Sequence, residues 1–181
     1  MERGGRDVER IEVLFGGQGG QGIKLAGSLL GRACALSGRQ VASSALYGPE
    51  ARGTLIYSEV VISDEQITYP RTLTPHFFVA LSQEAYDRLY RDVAADGVIL
   101  FDSGAVTPSL DAAQQHYPIP ALSTAAKMGH PGVANMVMLG ALLALSGLVD
   151  METLKQSLPE SRRQANEQAL EQGFALGRDL M

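Results

Sequence analysis

Short apolar runs alternate along the chain with longer stretches in which apolar residues recur every three or four positions. Ile11, Val13, Leu14 and Phe15 form a run that ends in glycine, the pattern of a strand buried on both faces. Ile23, Ala26, Leu29, Leu30, Ala33 and Leu36 follow at helical spacing, with Gly38 as a stop. Residues 40–45 and 54–63 read as strands, the latter rich in Ile, Val, Thr and Tyr. Residues 67–70 read as its short hairpin partner, reached through a turn at 63–66. The rhythm then resumes with a strand at 76–82, a helix at 83–95 and a buried strand at 97–103. Residues 106–116 read as partly helical. Residues 117–123 read as an edge strand, because Pro118 and Pro120 remove ladder donors. Residues 133–148 are apolar almost all round, which predicts a deeply packed helix. Residues 151–158 and 162–180 are helical, with a break at Pro159.

No repeat or low-complexity linker interrupts this rhythm. Residues 1–10 are polar and read as a flexible arm, and residues 11–181 as one domain. Strand–helix alternation places the chain in the α/β class. The expected architecture is a single domain with a largely parallel, doubly wound (Rossmann-like) sheet, an inserted hairpin and a helical C-terminal segment. The length of 181 residues suffices for a real core.

Composition narrows the chemistry. Fifteen Lys and Arg stand against 20 Asp and Glu, a formal net charge of −5, which argues against a nucleic-acid partner. The single cysteine, Cys34, cannot form an internal disulfide, hold an iron–sulfur cluster or build a thiolate zinc site. His76, His116 and His130 show no H-x-x-x-H spacing, so no protein-held metal is expected. The N-terminus lacks a signal-peptide pattern. The longest apolar stretch, 136–149, is too short to span a membrane. A soluble cytoplasmic protein is expected, with no membrane contact.

Gly17, Gln18, Gly19, Gly20, Gln21 and Gly22 satisfy G-x-G-x-x-G between a predicted strand and a predicted helix. Glycines let the backbone approach a ligand, and the helix behind them offers unpaired N–H groups and a positive dipole end to an anion. A dinucleotide site also wants an acid at the end of the second strand, where this chain has Ser43, Ser44 and Ala45. A triphosphate loop wants lysine directly after the last glycine, but Ile23 is there and Lys24 is one place late. Three readings stay open: packing against another subunit or its cofactor, contact with a phosphate-bearing ligand, or a bare turn. Asn135 lies on the apolar helix, where a buried amide must be bonded to the fold or to a ligand. Asp102, after a buried strand, is a crevice candidate or a helix cap. Lys127 and His130 read as solvated, and Cys34 as a small packed hydrophobe.

The segment Ser44 to Gly53 puts Tyr47, Glu50 and Arg52 on a loop stiffened by Pro49. Arg52 has the geometry to clamp a carboxylate or phosphate; alternatively, Glu50 and Arg52 pair with each other near the surface. Together with FGGQGGQGIKLAGSLLGRA, this SALYGPEARG segment resembles the gamma subunit of the 2-oxoacid:ferredoxin oxidoreductases, the pyruvate, 2-oxoglutarate and ketoisovalerate enzymes. VVISDEQITYP, GVILFDS, the Pro-Ile-Pro strand, Asn135-Met136-Val137 with Leu139-Gly140-Ala141, and ANEQALEQGFALG extend the resemblance over roughly residues 11–177. Thr54 departs from it, where the family often carries a second glycine.

The resemblance implies an accessory role in oxidative decarboxylation of a 2-oxoacid to acyl-CoA, with electrons passed to ferredoxin. It implies alpha, beta and ferredoxin-like delta subunits that hold thiamine diphosphate, Mg²⁺ and iron–sulfur clusters, with CoA in the assembled complex. This chain by itself is expected to bind no cofactor and to supply no catalytic residue. Gly17, Gln18, Gly19, Gly20, Gln21, Gly22, Tyr47, Glu50, Arg52 and Asn135 are the candidate cofactor-binding residues. A homodimer of the isolated chain stays open. The alternatives are an indolepyruvate oxidoreductase beta subunit, a free-standing NAD(P)- or phosphate-binding protein, and a scaffold whose loops touch no ligand.

Overall fold

The structure, a computed structural model, describes residues 10–47 and 55–181. Six strands, β1 (Arg10–Gln18), β2 (Gln40–Tyr47), β3 (Leu55–Ser63), β4 (Phe77–Ala80), β5 (Val98–Asp102) and β6 (Gln115–Ile119), form one sheet in the order β2-β3-β1-β4-β5-β6. β1, β4, β5 and β6 pair in parallel. β3 runs antiparallel between β1 and β2. The helices are α1 (Ile23–Leu36), α2 (Gln83–Leu89), α3 (Ala121–Lys127), α4 (Ala134–Ser146), α5 (Met151–Gln156) and α6 (Arg163–Arg178).

Alternating strand residues feed two apolar layers, as a sheet covered on both sides requires. Val13, Phe15, Val60, Ile62 and Leu100 face the layer containing α1 and α4. Leu14, Phe78, Ile99 and Phe101 face α2. No helix among the described residues is long and apolar enough to cross a membrane.

The inserted hairpin is present but made differently from the sequence expectation. Residues 67–70 form no strand, because both flanks of β3 are already paired, to β1 and β2. Residues 64–76 instead form an irregular strap held by two buried carboxylates. Glu12 accepts the backbone N–H groups of Leu73 (2.7 Å) and Thr74 (2.8 Å) and the Arg10 guanidinium (2.8 Å). Glu59 accepts from Arg71, Thr72 Oγ1 (2.9 Å) and Ser44 Oγ (3.1 Å). Side chains thus satisfy a backbone that has no ladder of its own.

Residues 106–116 are not helical before β6 begins. Gln83 Oε1 takes the Thr107 N–H (2.7 Å) and Tyr86 Oη takes the Ser109 N–H (3.0 Å), so this backbone too is satisfied by side chains. The edge strand ends at Ile119 rather than running to 123. Pro120 precedes α3, and Asp102 Oδ2 accepts the Leu122 N–H at 2.7 Å, starting a helix where a strand was expected.

α4 is apolar on every side because α1, α3, α6 and the sheet pack around it. A Cβ on Gly140 would lie 2.1 Å from the Leu170 carbonyl oxygen, and one on Gly173 would lie 1.9 Å from that of Val137. The α4 and α6 backbones therefore approach through glycines. Alanine normally improves a helix interior by up to about 1 kcal/mol, but here overlap with a main-chain carbonyl decides the sign. Gly173→Ala is expected to cost at least about 2 kcal/mol, read from urea-denaturation midpoints. Exposed Gln172→Ala should stay within about 0.5 kcal/mol. Equal midpoints for the two variants would show that the helices separate freely.

Cys34 is buried in α1, and burial pushes its thiol up to about 11 from 9.0. The folded chain is expected to resist alkylation at pH 8 and to react once denatured. Because the unfolded thiol ionises first, this group's contribution to stability declines between pH 9 and about 11. Equal alkylation rates for folded and unfolded chain at pH 8 would contradict this.

Candidate ligand site at the glycine loop

β1 closes in the turn that the glycine pattern announced. Gly20 has φ 89° and Gly22 φ 72°, a left-handed region that other residues enter at a cost. Gly17 serves close packing: a Cβ there would lie 2.6 Å from Gln21 Oε1 and 2.7 Å from Ile23 Cδ1. Gly22 heads α1 and offers no side-chain cap, and the helix's first turn holds no acidic residue. The N–H groups of Ile23, Lys24 and Leu25 therefore lack intrahelical acceptors at an uncompensated positive helix end.

Two carboxamides fix the turn. Gln21 Oε1 accepts the Gln18 N–H at 2.7 Å, while its Nε2 donates to the Leu81 carbonyl at 3.0 Å, just beyond β4. Asn135, 3% exposed in the first turn of α4, donates through Nδ2 to the Gly22 carbonyl at 3.1 Å. A Cβ on Gly22 would meet that nitrogen at 2.3 Å, so glycine is required here by space as well as by dihedral angle. Of the three carboxamides named as candidate ligand residues, Gln21 and Asn135 thus engage the loop itself, and Gln18 is exposed.

An open cleft of about 470 Å³ lies beside the turn, lined by Gln18, Gly20, Lys24, Leu25, Ser28 and Ile56. The side chains of Gln18 and Lys24 are exposed there, and Gly19 sits exposed in the same turn. Lys24 adds positive charge beside the unpaired N–H groups. Sequence reasoning passed over this lysine because it tested the triphosphate-loop spacing rather than which first-turn residues face outward.

Strand register places both flanks of the second predicted loop. Gln18 pairs opposite Leu55, and Tyr47 pairs opposite Ile56. Tyr47, which ends β2, and Leu55, which begins β3, thus both lie at the glycine-turn end of the sheet. Glu50 and Arg52, including their expected mutual pairing, lie between them and outside the described residues.

Asp102 belongs to the fold rather than to a site. It is fully buried, and its oxygens accept the Gly104 N–H (2.9 Å) and the Leu122 N–H (2.7 Å). Lys127 and His130 are exposed, as expected. Among the described residues no group of His, Cys, Asp and Glu is placed to hold a metal ion.

The topology also bears on the dinucleotide alternative. The ribose-binding acid of that site ends a strand lying next to the first. Here β3 fills that place, and β2 lies two strand spacings from β1, roughly 10 Å.

The sequence profile of the family described as pyruvate ferredoxin/flavodoxin oxidoreductase matches residues 12–176. The chain is 39% identical over 180 residues to the 2-oxoglutarate synthase subunit KorC of Methanocaldococcus jannaschii, covering 94% of this chain and 96% of that one. The crystal structure of a keto/oxoacid ferredoxin oxidoreductase gamma subunit from Geobacter sulfurreducens superposes with a TM-score of 0.82 at 36% identity, covering 92% of this chain and 98% of that one. A 2-oxoglutarate:ferredoxin oxidoreductase from Magnetococcus marinus, determined with 2-oxoglutarate, coenzyme A and succinyl-CoA bound, superposes with a TM-score of 0.86 at 27% identity. That match covers 95% of this chain and 32% of the other. With the glycine turn and the sheet order in place, the family profile and the 39% identical relative establish that the chain belongs to the pyruvate ferredoxin/flavodoxin oxidoreductase family.

Proposed function

We propose that this chain is the gamma subunit of a multi-subunit 2-oxoacid:ferredoxin oxidoreductase of the 2-oxoglutarate class, and that its glycine-loop cleft receives a phosphate-bearing part of CoA. The observation that carries the CoA assignment is the uncapped amino end of α1 opening beside Lys24 into the 470 Å³ cleft. Backbone N–H groups, a helix dipole and an ammonium suit a diphosphate or phosphate group. The 2-oxoglutarate class follows the KorC relative, which aligns over nearly its whole length.

The assembled enzyme converts a 2-oxoacid and CoA to acyl-CoA and CO₂ while two electrons pass to ferredoxin. Cys34, the sole cysteine, is buried, so this chain offers no thiolate set for a cluster. Thiamine diphosphate, Mg²⁺ and the clusters belong to the alpha, beta and ferredoxin-like delta subunits. This chain's part is to bind and orient CoA from the glycine-turn side. Gly17, Gln18, Gly19, Gly20 and Gly22 form the backbone of the seat. Tyr47, at the end of β2, and Glu50 and Arg52, in the connection that follows it, shape the interface or the CoA approach.

Co-expression with the cognate alpha and beta subunits is expected to yield one co-eluting complex with CoA-dependent, 2-oxoglutarate-driven ferredoxin reduction. Lys24→Ala is expected to raise KM for CoA roughly tenfold, the scale of one charge-assisted hydrogen bond, with KM for 2-oxoglutarate unchanged. Failure to co-elute overturns the subunit assignment. An unchanged KM for CoA in Lys24→Ala overturns the cleft assignment.

A further inference from the structure

We infer that Asn135 and Gln21 are positioning residues, which set the direction of the N–H groups at the head of α1 and do not themselves touch CoA. The inference rests on the CoA reading of the cleft. The Gly22 carbonyl and the Ile23 N–H share one peptide plane, and a planar trans amide points these groups in opposite directions. That carbonyl accepts from Ala26 N–H at 3.0 Å along the helix and from Asn135 Nδ2 at 3.1 Å from α4. Held at both contacts, it directs the Ile23 N–H away from the helix body. Without Asn135, a left-handed glycine has other peptide orientations within reach.

Burial of the Asn135 amide supports this role. α4 is otherwise apolar at its buried positions from Ala134 to Leu143, and a buried amide is costly unless hydrogen-bonded. Its one side-chain bond goes to the residue that heads another helix, 113 positions away in sequence. Gln21 acts on the same turn from the other side. It ties the Gln18 N–H to the Leu81 carbonyl, so the turn cannot swing off the end of β4. Both hydrogen-bonding ends of this carboxamide are engaged within the fold.

The test uses the assembled oxidoreductase with CoA and 2-oxoglutarate as varied substrates. Asn135→Ala and Gln21→Ala are each expected to raise KM for CoA about tenfold, with kcat at saturating CoA and KM for 2-oxoglutarate within twofold. Asn135→Asp, which sets a carboxylate against the Gly22 carbonyl, is expected to raise KM for CoA further than alanine does. The double variant should fall well short of the product of the single effects, because both residues act through one turn. A KM for CoA within twofold of the parent in both alanine variants overturns the inference, as does a parallel rise in KM for 2-oxoglutarate. Should Asn135→Ala fail to assemble, Gln21→Ala alone decides by the same two criteria. An effect of Lys24→Ala without an effect of these variants refutes the positioning role and leaves the cleft assignment standing. A flat Lys24→Ala refutes the cleft assignment itself.

Discussion

One carbonyl oxygen, that of Gly22, receives the first hydrogen bond of α1 and the amide of a residue from the far half of the chain. Much of the site's geometry follows from that convergence. Gly22 must be left-handed to turn the chain from β1 into α1, and it must lack a side chain because Asn135 occupies the space. Asn135 can occupy that space only if α4 lies where it does. α4 is held there by α1, α3 and β5 and by α6, whose backbone approaches it closely through glycines. Packing between α4 and α6 thus bears on the position of a turn at the end of an interior strand.

The sheet supplies the second constraint. β3 enters between β1 and β2, so Gln18, where the glycine turn begins, and Tyr47, where β2 ends, lie at one end of the sheet. At the opposite end, β3 passes to β4 through the strap that Glu12 and Glu59 hold down. Burying two carboxylates there is tolerable because their oxygens are met by backbone N–H groups, hydroxyls and guanidinium groups.

Most elements were legible because their signals are local. The buried runs of β1, β3 and β5, the helical spacing of α1 and the all-round apolarity of α4 each lie within one short contiguous stretch. What escaped the sequence depends on distant partners. α3 begins at Ala121 because Asp102 reaches Leu122 from another strand, so the prolines before it suggested only an edge strand. Residues 67–70 have strand composition, but β1 and β2 already flank β3. The role of Gln21 depends on a carbonyl 60 residues onward, and that of Asn135 on one 113 residues back. The glycine pattern announced a tight strand-to-helix turn correctly in outline. The outward position of Lys24 became visible only with the helix in place.

Strand order also limits what this scaffold can become. An acidic residue introduced at the end of β2 would stand beyond an intervening strand, too far from the glycine turn to share a sugar with it. Acquiring nicotinamide chemistry along that route would require rethreading the polypeptide through its sheet, which point substitutions do not accomplish. Along that route the barrier between this scaffold and the dinucleotide-binding sheets it superficially resembles is therefore one of connectivity.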